Sequence, residues 1–275
     1  MNYSKLVKNL TFTILLFAIL CSFVGCSKEI DESMLPANGA GRIETSEQTT
    51  TAEPDPDPVS KRGITICVDP GHGFEDGGTS HEFLGEVLEK DITFSVANKL
   101  KGYLEELGFD VIMTHDGKEF PVTANDDGNS RFRPEERVSY ANSLGDKIDY
   151  YVSVHCNAFD TSDVSGAIVF YVEDATKGTI GDAEAAETLK NRLSADFADY
   201  RVSANVFPYY VIRYTHVPAS LIEMGYVTNE NDAKNMLDDE WQSKFAKSIA
   251  DGLDEFYSDD TDDTAEGSAD AEDGV

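Results

Sequence analysis

Basic residues are scarce in this chain. Its 275 residues hold 22 Lys and Arg against 52 Asp and Glu, a formal net charge of −30. Residues 63–257 alone carry 16 basic against 36 acidic side chains, net −20. So acidic a surface repels phosphates and anionic head groups, which argues against nucleic acid as a partner and says little about fold. Cysteine is scarce as well. Of four, Cys21 and Cys26 fall in the first 26 residues, leaving Cys67 and Cys156 in the foldable part. Both lie in apolar, strand-like runs and read as buried thiols. A disulfide between them stays open in an exported protein, but two cysteines make no disulfide scaffold. There is no internal repeat.

Long apolar runs are missing except for Leu10 to Val24. Lys5 and Lys8 precede that run and Gly25-Cys26 follow it, so it is too short and wrongly flanked for a membrane span and reads as a secretory signal. Its ending, "SFVGC", resembles the lipobox of bacterial lipoproteins, with Phe23 where leucine is usual. The resemblance implies a lipid on Cys26, which becomes the new N-terminus, and a place outside the cytoplasm, anchored to a bacterial membrane. Residues 27–62 have almost no apolar side chains and read as a disordered tether. As a flexible coil it reaches about 30–35 Å. From Ser258 on there are eight Asp and Glu and no Lys or Arg, so 258–275 reads as a disordered acidic tail. The foldable core is therefore 63–257.

Within the core, short β-branched runs alternate with helical periodicity. Strands are expected at Ile64–Val68, Phe109–Thr114, Tyr150–Val154, Ala167–Val172, Tyr209–Ile212 and Ala219–Ile222. Helices are expected from Asp91 to Leu107, ended by Gly108, from Pro134 to Leu144, from Ala183 to Phe197, and through Trp241, Phe245, Ile249, Leu253 and Phe256. This alternation predicts a single α/β domain, a mostly parallel sheet of about six strands with helices on both faces. In such sheets functional side chains gather beyond the carboxyl ends of strands.

At those ends stand His72, in "VDPGHG" after the first strand, His155, in "VSVHCN", and Glu223, in "SLIEMGY". Glu89 stands at the entrance of the first helix. Flanking glycines let His72 project from the sheet edge. Two imidazoles with one carboxylate make a three-ligand zinc site with a fourth position free for water, and a second carboxylate outside it can serve as general base. His81, His115 and His216 read instead as solvated loop histidines. Cys156 adjoins His155 but alternation turns it to the other face.

In order, "VDPGHG", "LEKD", "RVSYAN", "VSVHCNA", "YVIRYT" and "PASLIEMGYVTNENDAKNM" resemble the signature segments of the zinc-dependent N-acetylmuramoyl-L-alanine amidases, over roughly Ile64 to Tyr257. The resemblance implies cleavage of the amide between the lactyl group of N-acetylmuramic acid and L-alanine of peptidoglycan, with zinc held by His72, Glu89 and His155. It makes Glu223 the catalytic carboxylate. Glu86 stays a second candidate for the Glu89 position, because the spacing from Gly85 is one residue long. The family's arginine after the second strand is His115 here. Gly117 to Arg133 form an insertion expected as a surface loop bordering the cleft. The connection from Asn157 to Gly166 is short where activator-controlled members carry a blocking helix, which implies a site open without an activator. A monomer is expected. Two other readings fit the same residues: a surface lipoprotein that binds wall fragments without cutting them, and a zinc hydrolase of this architecture acting on another amide.

Overall fold

A computed structural model of the chain describes residues 61–118, 133–173 and 182–266. Six strands, β1 (Thr65–Pro70), β2 (Asp110–Met113), β3 (Tyr150–Asn157), β4 (Ala167–Tyr171), β5 (Val202–Val206) and β6 (Ala219–Tyr226), form one sheet in the order β2-β1-β3-β6-β4-β5. β1 lies parallel to β2 and β3, and β3 parallel to β6. β4 runs antiparallel to β6 and parallel to β5. The helices are α1 (Glu89–Glu106), α2 (Pro134–Ser143), α3 (Asp182–Asp196), α4 (Tyr210–Arg213), α5 (Glu230–Leu237) and α6 (Asp239–Glu266). The expected α/β domain with a mostly parallel six-stranded sheet is what the chain forms.

Side-chain alternation divides the sheet into two faces. Ile66, Val68, Val152 and Val154 pack under α1, α3 and α6, with buried Val96, Leu100, Leu189, Leu193, Phe245 and Leu253 above them. Cys67, Tyr151 and Leu221 face the other way, toward Val138 and Ala141 of α2 and Val211 and Ile212 of α4. Each fully buried aliphatic or aromatic side chain contributes about 1.5–3 kcal/mol relative to exposure. Cys67 and Cys156 fall in different clusters, and both are buried free thiols. Asp69, Ser153, His155 and Glu223 continue the second-face alternation toward the strand ends.

Local chemistry explains where α1 begins and ends. Asp91 accepts the Leu88 N–H at 3.1 Å, satisfying an orphan donor at the start. Ile92, Val96, Leu100 and Leu104 then form one buried stripe. At the end, Phe109 N–H bonds to Leu104 O and Gly108 N–H to Glu105 O, with Gly108 at φ 89°. That is a Schellman stop, whose left-handed position favours glycine.

Two expectations are corrected and two elements are added. Tyr209–Ile212 is no strand; Tyr210–Arg213 is one turn of helix, because an apolar run of four cannot be assigned by periodicity. The strand on that side is Val202–Val206, an edge strand whose residues are partly or fully exposed and so carry no core signal. α5 was not expected, although Asn229 caps it by accepting from Asn231 and Asp232 N–H. The last helix runs to Glu266 and so enters the acidic segment assigned as tail. The signal, Cys26 and the tether up to residue 60 lie outside the described residues. No helix among those described is long and apolar enough to cross a membrane.

Candidate metal centre and catalytic carboxylate

β1 carries His72 into a tight turn. Gly71 N–H still bonds to Val154 O at 2.9 Å, so the turn starts from the sheet, and Gly73 and Asp76 close it with two reciprocal backbone bonds. The strained residue is the histidine itself: His72 has φ 61° and Phe74 φ 56°, a region that side chains rarely enter. His72 Nδ1 lies 2.9 Å from Asp76 Oδ2. Donation from Nδ1–H to that carboxylate leaves Nε2 as the free lone pair, and it points at Glu89.

Glu89 is the first residue of α1, where the helix N-terminus favours a carboxylate. It is 1% exposed and lies between the two imidazoles, 3.2 Å from His72 Nε2 and 3.2 Å from His155 Nδ1. Its outer lone pairs accept the backbone N–H of Cys156 at 2.8 Å and of Thr79 at 2.7 Å. Burial alone would raise its pKa, but the hydrogen bonds and charge of His155 and His72 hold the carboxyl well below the usual range. Burial alone would likewise lower the His72 pKa, yet Glu89, with Asp76 behind it, pushes it up to about 9. The pocket therefore favours positive charge between these groups.

One ligand atom each from His72, Glu89 and His155 lies within 4.8 Å of the others. The two 3.2 Å contacts go to different oxygens of the carboxylate, Oε2 to His72 and Oε1 to His155, so Glu89 spans the two imidazoles. The three residues form a possible metal site of two nitrogens and one oxygen.

Glu223 sits opposite His155 in the β3–β6 register. It is 7% exposed, and its Oε2 is buried with no hydrogen-bond partner. Burial pushes its pKa up to about 7; the Glu89 charge adds to this, and His155 and His72 oppose it. A carboxyl in that setting exchanges a proton near neutral pH.

The structure thus brings all four expected residues together. Glu86 is exposed and outside the cluster. His81 caps a turn at Phe83 N–H and His216 is exposed, as expected of loop histidines. His115 departs from that expectation. It is 5% exposed, stacked on Phe94 at 5.8 Å, with Nε2 3.2 Å from Pro70 O. Beside it a cavity of about 470 Å³ opens between Phe74, Lys90, Phe94 and Gly117. The rest of the insertion, 119–132, lies outside the described residues.

Known proteins share this arrangement of sequence. A family model described as N-acetylmuramoyl-L-alanine amidase matches residues 66–255, which hold all four site residues. This chain belongs to the N-acetylmuramoyl-L-alanine amidase family. The germination-specific N-acetylmuramoyl-L-alanine amidase of Bacillus subtilis is 31% identical over 195 residues, covering 70% of this chain and 78% of that protein. The amidase LytC of the same species is 28% identical over 195 residues, covering 71% of this chain but only 36% of LytC. Among solved structures, the amidase AmiC2 of Nostoc punctiforme aligns with a TM-score of 0.61 at 25% identity, over 72% of this chain and 99% of that one.

Several supporting residues of this amidase domain escaped the sequence analysis. Asp76, four positions after His72 in "GHGFED", carried the one readable signal, an acid within reach of the histidine. Asp69 and Arg137 form a buried ion pair at 2.6 Å beneath the turn. Both stand in segments already quoted, "VDPGHG" and "RVSYAN", but their separation of 68 positions hides the pairing. Gly71 is required by close approach: a Cβ there would stand 2.4 Å from the His155 ring. Gly71→Ala is expected to push that ring aside and weaken metal binding by at least about tenfold, as measured by equilibrium dialysis. Unchanged binding would mean that the ring has room to move.

Proposed function

We propose that this chain is a zinc-dependent hydrolase that cleaves the amide between N-acetylmuramic acid and L-alanine in peptidoglycan. The observation that carries this reading is Glu223, buried and unpartnered at Oε2, beside a His72, Glu89 and His155 cluster on a chain of the amidase family. Zinc held by His72, Glu89 and His155 would act as a Lewis acid on the scissile carbonyl and lower the pKa of the attacking water. Glu223 takes the proton from that water as it attacks. It then delivers the proton to the departing alanine nitrogen, which leaves poorly as an anion. Asp76 holds His72 in the tautomer that presents Nε2, and the Cys156 and Thr79 N–H groups hold the Glu89 carboxylate in place.

Residues 158–166 form no helix between β3 and β4, which favours a site that works without an activator. The N-terminal segment supports export, lipidation at Cys26 and action on wall material within reach of the tether, which a lipid anchor would keep at high local concentration.

The test uses the purified chain with muropeptides, with zinc or with a chelator and no added protein, and mass spectrometry of the products. Release of the intact stem peptide with a free L-alanine amine, lost on chelation, is the expected result. Cuts inside the stem peptide would favour a hydrolase of another amide. Binding without cutting would favour the non-catalytic wall-binding reading.

A further inference from the structure

We infer that Arg137 is the positioning residue for His72, acting through the backbone of the turn and not on the substrate. The inference rests on reading His72 as a metal ligand. Its starting point is the left-handed φ of 61° at His72, a conformation that persists only where the surroundings over-determine it.

Those surroundings are side chains from two helices. Arg137 Nη1 donates to Pro70 O at 2.7 Å, Thr93 Oγ1 to Gly71 O at 2.6 Å, and Arg137 Nη2 to His72 O. Three successive carbonyls of the turn are thereby held from α1 and α2. Arg137 is itself oriented by Asp69, whose Oδ1 accepts from Nη1 at 2.6 Å and from Thr114 Oγ1 at 2.6 Å, while its Oδ2 accepts from Ser153 Oγ at 2.7 Å. Asp69, Thr114 and Ser153 are 0% exposed and Arg137 is 3% exposed. A guanidinium is suited to this place because its rigid fork reaches Asp69 and two carbonyls at once, whereas an ammonium is a single point.

The direction of the imidazole follows from the backbone that bears it. With the fork removed, the turn relaxes from its left-handed conformation and Nε2 swings away from Glu89. The loss then appears in metal affinity, by about 10- to 100-fold, as for other groups that orient a ligand.

Arg137→Ala leaves the buried Asp69 carboxylate without its opposite charge and risks unfolding. The test therefore uses Arg137→Lys, which keeps the charge and loses the fork, and the double variant Asp69→Asn with Arg137→Met, which removes both charges. Zinc dissociation constants are measured by chelator competition on the folded proteins, next to melting temperatures. Ile249→Ala, in the α6 core, is the control for lost stability alone. The expected result is zinc binding weakened about 10- to 100-fold in both Arg137 variants and unchanged in the control. Lower melting temperatures with wild-type zinc affinity would overturn the positioning role while leaving His72 as a ligand. If the wild type bound zinc no better than His72→Ala, the ligand reading would fail and this inference with it.

Discussion

Glu223→Gln is expected to lower kcat/KM by about 10²–10⁴-fold while leaving zinc bound and the domain folded. The substitution preserves shape in a strand whose eight residues are all buried, so packing is unchanged. It removes only the ability to accept and return a proton. Stability should hold or rise slightly: the native carboxyl is buried with Oε2 unpartnered, and burial pushes its pKa up to about 7, so desolvation already disfavours its charge. Three readings on one sample decide the matter: turnover of muropeptides, bound zinc, and melting temperature. Turnover within tenfold of wild type, about 1.4 kcal/mol in transition-state terms, would remove Glu223 from the chemistry. Loss of zinc with turnover would instead give it a part in holding the ion.

The second large effect is expected at Glu89. In wild type, zinc at about 100 times its dissociation constant should stabilise the fold by about 2.7 kcal/mol, raising the melting temperature by about 5–11 °C for a domain of this size. Glu89→Gln should erase that rise and abolish zinc-dependent hydrolysis. The amide has no charge to hold a cation between His72 and His155. Its NH2 must also face the N–H of either Cys156 or Thr79, where the carboxylate accepted both. A buried donor left without an acceptor costs about 1–3 kcal/mol, so the metal-free variant should also melt lower. Glu86→Gln is the counterpart. Glu86 is exposed and apart from the cluster, so its loss should leave the zinc-induced rise intact. A rise retained in Glu89→Gln and lost in Glu86→Gln would reverse the assignment.

Most of the site could be read from the chain in one dimension because each piece is locally coded. A β-branched run ending in Asp-Pro-Gly says strand and turn. The stripe Ile92, Val96, Leu100 and Leu104 says helix, and Gly108 says stop. What local pattern could not decide, it left ambiguous or wrong. Val211 and Ile212 are apolar for a helix turn packed on α2, not for a strand, and Val202–Val206 is too exposed at the sheet edge to show a core pattern. His115 looked like a loop histidine until its ring was found packed between Phe74 and Phe94.

By itself, the sequence determined that this is an acidic α/β domain of the amidase type, with His72, Glu89, His155 and Glu223 at the ends of its elements. Tertiary structure alone decided that Glu89 and not Glu86 stands between the imidazoles, that His72 takes the strained backbone conformation, and that Asp69, Arg137, Thr93 and Asp76 hold it there. The division has a physical cause. Periodicity and capping act over a few residues, so they are written in neighbouring letters. The pairing of buried charges and donors acts through space, between residues such as Asp69 and Arg137 that are 68 positions apart, and exists only once the sheet and helices have packed.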